Sequence, residues 1–252
     1  MWRRGGTSAG GSHEAADGPL LDVRDLSVVY ANGAHGGNGV DLSVRAGEIV
    51  AVLGRNGAGK TSLLRGIAGF LPSEHIVVHG HVVINGVDLA GRDPMRSFRQ
   101  GIVMVPERDK VFAALTVVEH LRLATRGGQD PNSPCMFGAL DRLRGRQAGL
   151  LSGGERQMLA LETAFRNDPK LLLVDEASLG LAPVIVKELM SRLREIATER
   201  NTAVIAVEQD ASAALRLADR LYVMNHGRVV WEGLAQDATA ADLAAEYLGT
   251  VR

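Results

Sequence analysis

Gly54-Arg55-Asn56-Gly57-Ala58-Gly59-Lys60-Thr61 meets the spacing G-x-x-x-x-G-K-[ST] at every fixed position. It follows the apolar run Ile49-Val50-Ala51-Val52-Leu53 and opens a helix-forming stretch, the context in which that spacing binds phosphate. Glycines let the backbone turn tightly, so that consecutive N–H groups converge on phosphate oxygens, and the positive end of the next helix adds to the attraction. Lys60 is then the cation for the outer phosphates of a nucleoside triphosphate, and the Thr61 hydroxyl a ligand for Mg²⁺. A second reactive pair ends another apolar run, Leu171-Leu172-Leu173-Val174-Asp175-Glu176. Asp175 is placed to hold the metal, and Glu176 to polarise an attacking water as general base. Paired carboxylates also occur as solvated strand ends; it is the phosphate loop that gives this pair a reaction.

The elements that must carry these residues follow from periodicity. Strands are expected over residues 20–30, 40–44, 48–53, 81–84, 102–105, 171–174, 203–207 and 221–224, with a turn-rich stretch at 31–39. Helices are expected over 60–69, 116–123, 137–146, 154–166, 184–199 and 211–218, and a loop over 127–134. Strands alternating with helices imply an α/β fold with a mostly parallel sheet, while the opening third reads as an antiparallel β layer. Residues 1–18, rich in Gly, Ser and Ala, read as a disordered tail ahead of a domain at 19–252.

Composition sets limits. The 28 basic and 29 acidic residues nearly cancel, which gives no electrostatic case for nucleic acid. The single cysteine, Cys135, cannot form an internal disulfide and suits a reducing compartment. Met1-Trp2-Arg3-Arg4 has the charge of a signal peptide, but no apolar stretch follows it. No run approaches the roughly 20 apolar residues that cross a bilayer. Work at a membrane would need another chain to do the spanning.

Leu151-Ser152-Gly153-Gly154-Glu155-Arg156-Gln157 offers a second anion-binding turn, and equally a capping box at a helix start. The phosphate loop, this turn and the Asp-Glu pair, in this order, resemble the ATP-binding-cassette (ABC) family over nearly the whole chain after residue 20. The resemblance implies a phosphate-loop NTPase core with a small helical subdomain inserted at about 107–150, which touches membrane domains. It implies that ATP with Mg²⁺ is bound by Gly54, Arg55, Asn56, Gly57, Ala58, Gly59, Lys60, Thr61 and Ser62, and that Tyr30 stacks on adenine. Tyr30 has a plainer reading as a strand-end core residue. Two cassettes of the family pack head to tail, so Ser152, Gly153 and Gly154 would serve a partner's nucleotide.

Three departures from the common cassette pattern narrow the resemblance. Glu107 stands where most members have Gln, Gln209 where most have a switch His, and Ala182 where the turn 178–183 usually has Asp. Together they look like the second ATPase subunit of branched-chain amino acid importers and their amide and urea relatives. The metal set would be Thr61, Asp175 and, through water, Glu107; the catalytic set would be Glu176 and Gln209. Partners would be a second, non-identical cassette, permease subunits at the cytoplasmic face of the membrane, and indirectly a solute-binding protein. An exporter ATPase is the alternative. Gln hydrogen-bonds where His would titrate, so this site is expected to hydrolyse more slowly than its partner's. Ala177 and Glu162-Thr163 are unusual even in that group, and segment 121–150 is short.

Overall fold

The computed structural model describes residues 18–91, 93–124 and 130–238. The expected tail therefore lies outside the described residues, apart from Gly18. Four antiparallel strands form the opening layer: β1 (Leu21–Val29), β2 (His35–Val44), β4 (Val77–Ile84) and β5 (Val87–Asp88), in the order β2-β1-β4-β5. A six-stranded sheet carries the chemistry. Its strands are β3 (Ile49–Leu53), β6 (Ile102–Val105), β7 (Leu171–Asp175), β8 (Ala203–Glu208), β9 (Arg220–Asn225) and β10 (Arg228–Leu234), in the order β10-β9-β3-β8-β7-β6. Only the β9–β10 pair is antiparallel.

Every residue of β3, β7 and β8 is buried, as expected for parallel strands covered on both faces. Alternate side chains of β3 feed two cores. Ile49, Ala51 and Leu53 join the core that includes residues of α4 (Gly153–Phe165), α5 (Pro183–Arg200) and α6 (Ala211–Leu217). Val50 and Val52 join the core shared with α1 (Lys60–Ala68) and the antiparallel layer. Two shorter helices complete the set, α2 (Pro94–Arg99) and α3 (Val117–Leu123), the latter capped by the Thr116–Glu119 box.

Three expectations are corrected. Residues 137–146 do not form an α-helix; a 3-10 turn at Leu140–Leu143 lies there, and a second at Ala148–Leu150. Gly138 and Gly145 weaken helix formation, and the Arg144 guanidinium turns back to the carbonyls of Pro131 and Ser133. Strand β2 starts at His35, inside the stretch expected to be turn. The β9–β10 hairpin was not foreseen: its turn, His226-Gly227, takes the φ > 0 geometry of such hairpins (φ 45 and 79).

Candidate nucleotide site

The phosphate loop leaves the buried end of β3 and enters α1 through two glycines in the left-handed region, Gly57 (φ 79) and Gly59 (φ 100). A Cβ on Gly59 would stand 2.0 Å from the Gly36 carbonyl oxygen, and one on Gly54 2.6 Å from that of Met224. Space thus requires glycine at both positions, and at Gly59 the left-handed backbone requires it as well. The loop leans on distant parts of the chain. Gly227 N–H donates to the Ala58 carbonyl (2.8 Å), and Asn38 N–H to the Gly227 carbonyl (2.8 Å). No side chain caps α1 and no acid lies in its first turn, so its leading N–H groups are left for an anion. The buried Lys60 ammonium folds over the loop, donating to the carbonyls of Gly54 (2.7 Å) and Arg55 (3.1 Å).

Facing the loop are the ends of β7 and β8. Asp175 is 1% exposed, its carboxyl lies beside the Thr61 side chain, and its Oδ1 has no hydrogen-bond partner. Burial pushes its carboxyl above the usual range; Glu176 and Glu107 add to this, while Thr61 and Lys60 oppose it. Glu176 follows in a left-handed conformation (φ 51), its N–H bonded to the Val207 carbonyl (2.9 Å). Its Oε1 accepts from Gln209 Nε2 and lies 3.8 Å from Lys60 Nζ. Burial draws the Lys60 pKa down, against the pull of Glu176, Asp175, Glu208 and Glu107. A cleft of about 430 Å³ has Asn56, Lys60 and Thr61 on one side and Glu107, Glu176 and Gln209 on the other.

This donor set fits Mg²⁺. Among the described residues no three His, Cys, Asp or Glu side chains form a metal cage by themselves. Mg²⁺ ordinarily takes one or two carboxylates and fills its shell with phosphate and water. A buried carboxylate oxygen without a partner, beside a hydroxyl, is what such an ion would use.

Other sequence candidates lie elsewhere. Ser152 caps α4 in a reciprocal box with Glu155 (2.7 and 3.2 Å). Residues 152–154 are not on the wall of the phosphate cleft; Gly153, with Lys110, Arg156 and Gln157, lines an adjoining one that shares Glu107, Arg108 and Leu179 with it. The Tyr30 hydroxyl bonds Ser62 Oγ (2.7 Å), its ring meets Phe70 edge-on at 6.4 Å, and it does not line that cleft. Arg55 is exposed and contributes its carbonyl alone to the loop contacts described above. Sequence reasoning missed Glu208, a carboxylate 1% exposed at the end of β8. Its signal was a charged residue closing a wholly apolar strand.

A family model described as ABC transporter matches residues 37–179. The branched-chain amino acid transport ATP-binding protein BraG of Pseudomonas aeruginosa is 41% identical over 201 residues, covering 76% of this chain and 83% of the relative. The probable branched-chain amino acid transport ATP-binding protein LivF of Archaeoglobus fulgidus is 34% identical over 206 residues, covering 79% and 85%. The methionine import ATP-binding protein MetN of Caulobacter vibrioides is 30% identical over 245 residues, covering 91% and 72%. A solved ATP-binding subunit of an ABC transporter superposes with a TM-score of 0.75 at 28% identity, covering 90% of this chain and 98% of that one. With a phosphate loop, a strand-borne Asp-Glu pair and this fold in one chain, the protein belongs to the ABC transporter family, as an ATP-hydrolysing subunit that resembles BraG and LivF.

Proposed function

We propose that this chain powers the uptake of branched-chain amino acids or related small amides, as one of two unequal cassettes bound to permease subunits at the cytoplasmic face of a membrane. The observation that carries the reading of the chemistry is the Glu176 carboxylate, 3.8 Å from Lys60 and bonded by Gln209 at the mouth of the phosphate loop. Lys60 and the N–H groups of residues 54–62 hold the phosphates of ATP. Glu176 takes the proton of the attacking water, and Gln209 keeps its carboxylate aimed. Thr61, Asp175 and, through water, Glu107 would hold Mg²⁺, which when bound supplies neutralisation of phosphate charge. Tyr30 stacks on the adenine, which requires its ring to offer a face while Ser62 keeps its hydroxyl.

Residues 19–252 form one ATP-binding domain, with 107–150 as the part that meets the permeases. Among the described residues no helix is long and apolar enough to cross a membrane, which supports a separate spanning partner. Ser152, Gly153 and Gly154 complete the partner cassette's site, a reading supported by their position off this chain's own cleft. The solute class rests on the likeness to BraG and LivF and on Glu107, Gln209 and the 178–183 turn. The test is uptake of labelled leucine, urea and a short aliphatic amide in cells carrying or lacking the gene. Loss of leucine or amide uptake on deletion, restored by the wild-type chain and not by Lys60→Ala, is expected. Unchanged uptake of all three, with efflux altered instead, would turn the reading to an exporter.

A further inference from the structure

Glu208 is a buried carboxyl that the chemistry above does not use. Its Oε2 accepts from Ser178 Oγ. Its Oε1 has no hydrogen-bond partner and the residue is 1% exposed. It borders a cavity of about 770 Å³ between the 178–183 turn, α5 and α6. On the strand side it pairs in register with Leu53, the residue before the phosphate loop. Two side-chain bonds therefore join the ends of β7 and β8 at adjacent positions: Gln209 to Glu176, and Ser178 to Glu208. A backbone bond, Glu176 N–H to the Val207 carbonyl, lies with them.

A residue needed for packing alone would not leave a carboxyl oxygen buried and unpaired, at a cost of about 1–3 kcal/mol. Asn or Thr could hold a serine hydroxyl with less buried polar surface. What Glu208 adds is reach: its Oε2 fixes the Ser178 hydroxyl across the gap between the two strand ends, while Oε1 stays unpaired. Ser178 is two residues from Glu176, whose left-handed φ of 51 is a conformation that surrounding contacts must maintain.

We propose that Glu208 is a positioning residue for the hydrolytic base: through Ser178 it locks the 178–183 turn to the end of β8, and with it the backbone of Glu176 and the Gln209 bond. The proposal rests on Glu176 as the base. Loosening this lock lowers the rate of the chemical step and leaves nucleotide binding, which the phosphate loop supplies, nearly intact.

The test uses the full chain in the membrane assembly with which it is purified, with MgATP as substrate and, as readout, the part of steady-state phosphate release that Lys60→Ala in this chain removes. Glu208→Leu and Ser178→Ala are each expected to lower kcat about ten-fold with KM within about two-fold, the size that a small misplacement of a catalytic group produces. The double variant should be no slower than the slower single one, because the two side chains act as one unit. Glu208→Gln, whose amide oxygen still accepts from Ser178, should recover most of the turnover. Should Glu208→Leu not fold, Ser178→Ala decides alone. Unchanged kcat in Ser178→Ala, additive losses in the double variant, or Gln as damaging as Leu would each overturn the proposal. Glu176→Gln separates the two readings. Full turnover in that variant removes the base itself, whereas its loss beside normal turnover in Ser178→Ala removes the positioning role only.

Discussion

At the scale of residues, the site gathers four carboxylates, Glu176, Asp175, Glu208 and Glu107, around one buried ammonium, Lys60. Changing Glu176 to Gln should keep ATP binding and slow hydrolysis by about 10²–10⁴-fold, the usual share of a general base. Phosphate release beside a nucleotide-binding titration measures both. Glu208 makes a different statement, about stability. Burial, with help from Glu176 and Asp210 and against the Ser178 bonds, pushes its carboxyl from an ordinary 4.5 up to about 7. The folded state therefore holds this proton more tightly than the unfolded chain. That contribution is fully present below about pH 4.5 and is lost as pH rises through 7. Glu208→Gln cannot titrate, so it should gain on the wild type by roughly 3 kcal/mol between pH 4.5 and 7, and by nothing further above. Urea unfolding at pH 5 and pH 8 reads this directly.

At the scale of elements, the phosphate loop and the 130–137 segment show how local geometry depends on distant contacts. Gly59→Ala combines a strained φ of 100 with a contact 2.0 Å from a backbone oxygen. It should cost at least about 2 kcal/mol in urea unfolding and abolish nucleotide binding. In α4, Glu162 and Arg166 form a fully buried pair (2.9 Å). Glu162 Oε2 also accepts from Met136 N–H (2.9 Å), and Arg166 reaches the carbonyls of Asp130 and Ser133. Glu162→Ala strands the guanidinium and should cost about 3–5 kcal/mol by the same measurement. The unusual Glu at this position thus has a task, pinning the 130–136 segment just ahead of the stretch where a helix was expected. Apolar runs made β3, β7 and β8 legible in the sequence, because parallel strands buried on both faces leave no other pattern. The α4 start was legible because Ser152 and Glu155 are three apart. The 137–146 stretch was not: Phe137 and Leu140 have helical spacing, but side-chain bonds from Arg144 and Glu162 decide the backbone. The Ser178–Glu208 bond was hidden for the same reason, since thirty residues separate its ends.

At the scale of the molecule, a cleft that lacks residues 152–154 suits a site completed by another cassette. With Gln in place of a titrating His, the half-site carried here should be the slower one. Glu176→Gln in this chain should then reduce transport less than the equivalent change in the partner, measured as solute uptake in membranes with one or the other variant; equal losses would remove the asymmetry. The hydrogen bonds that tie Ala58 to Gly227, and Gly227 to Asn38, have a consequence in time. Residue 227 is made after residue 58, so the loop is without this support until the β9–β10 turn has left the ribosome and docked.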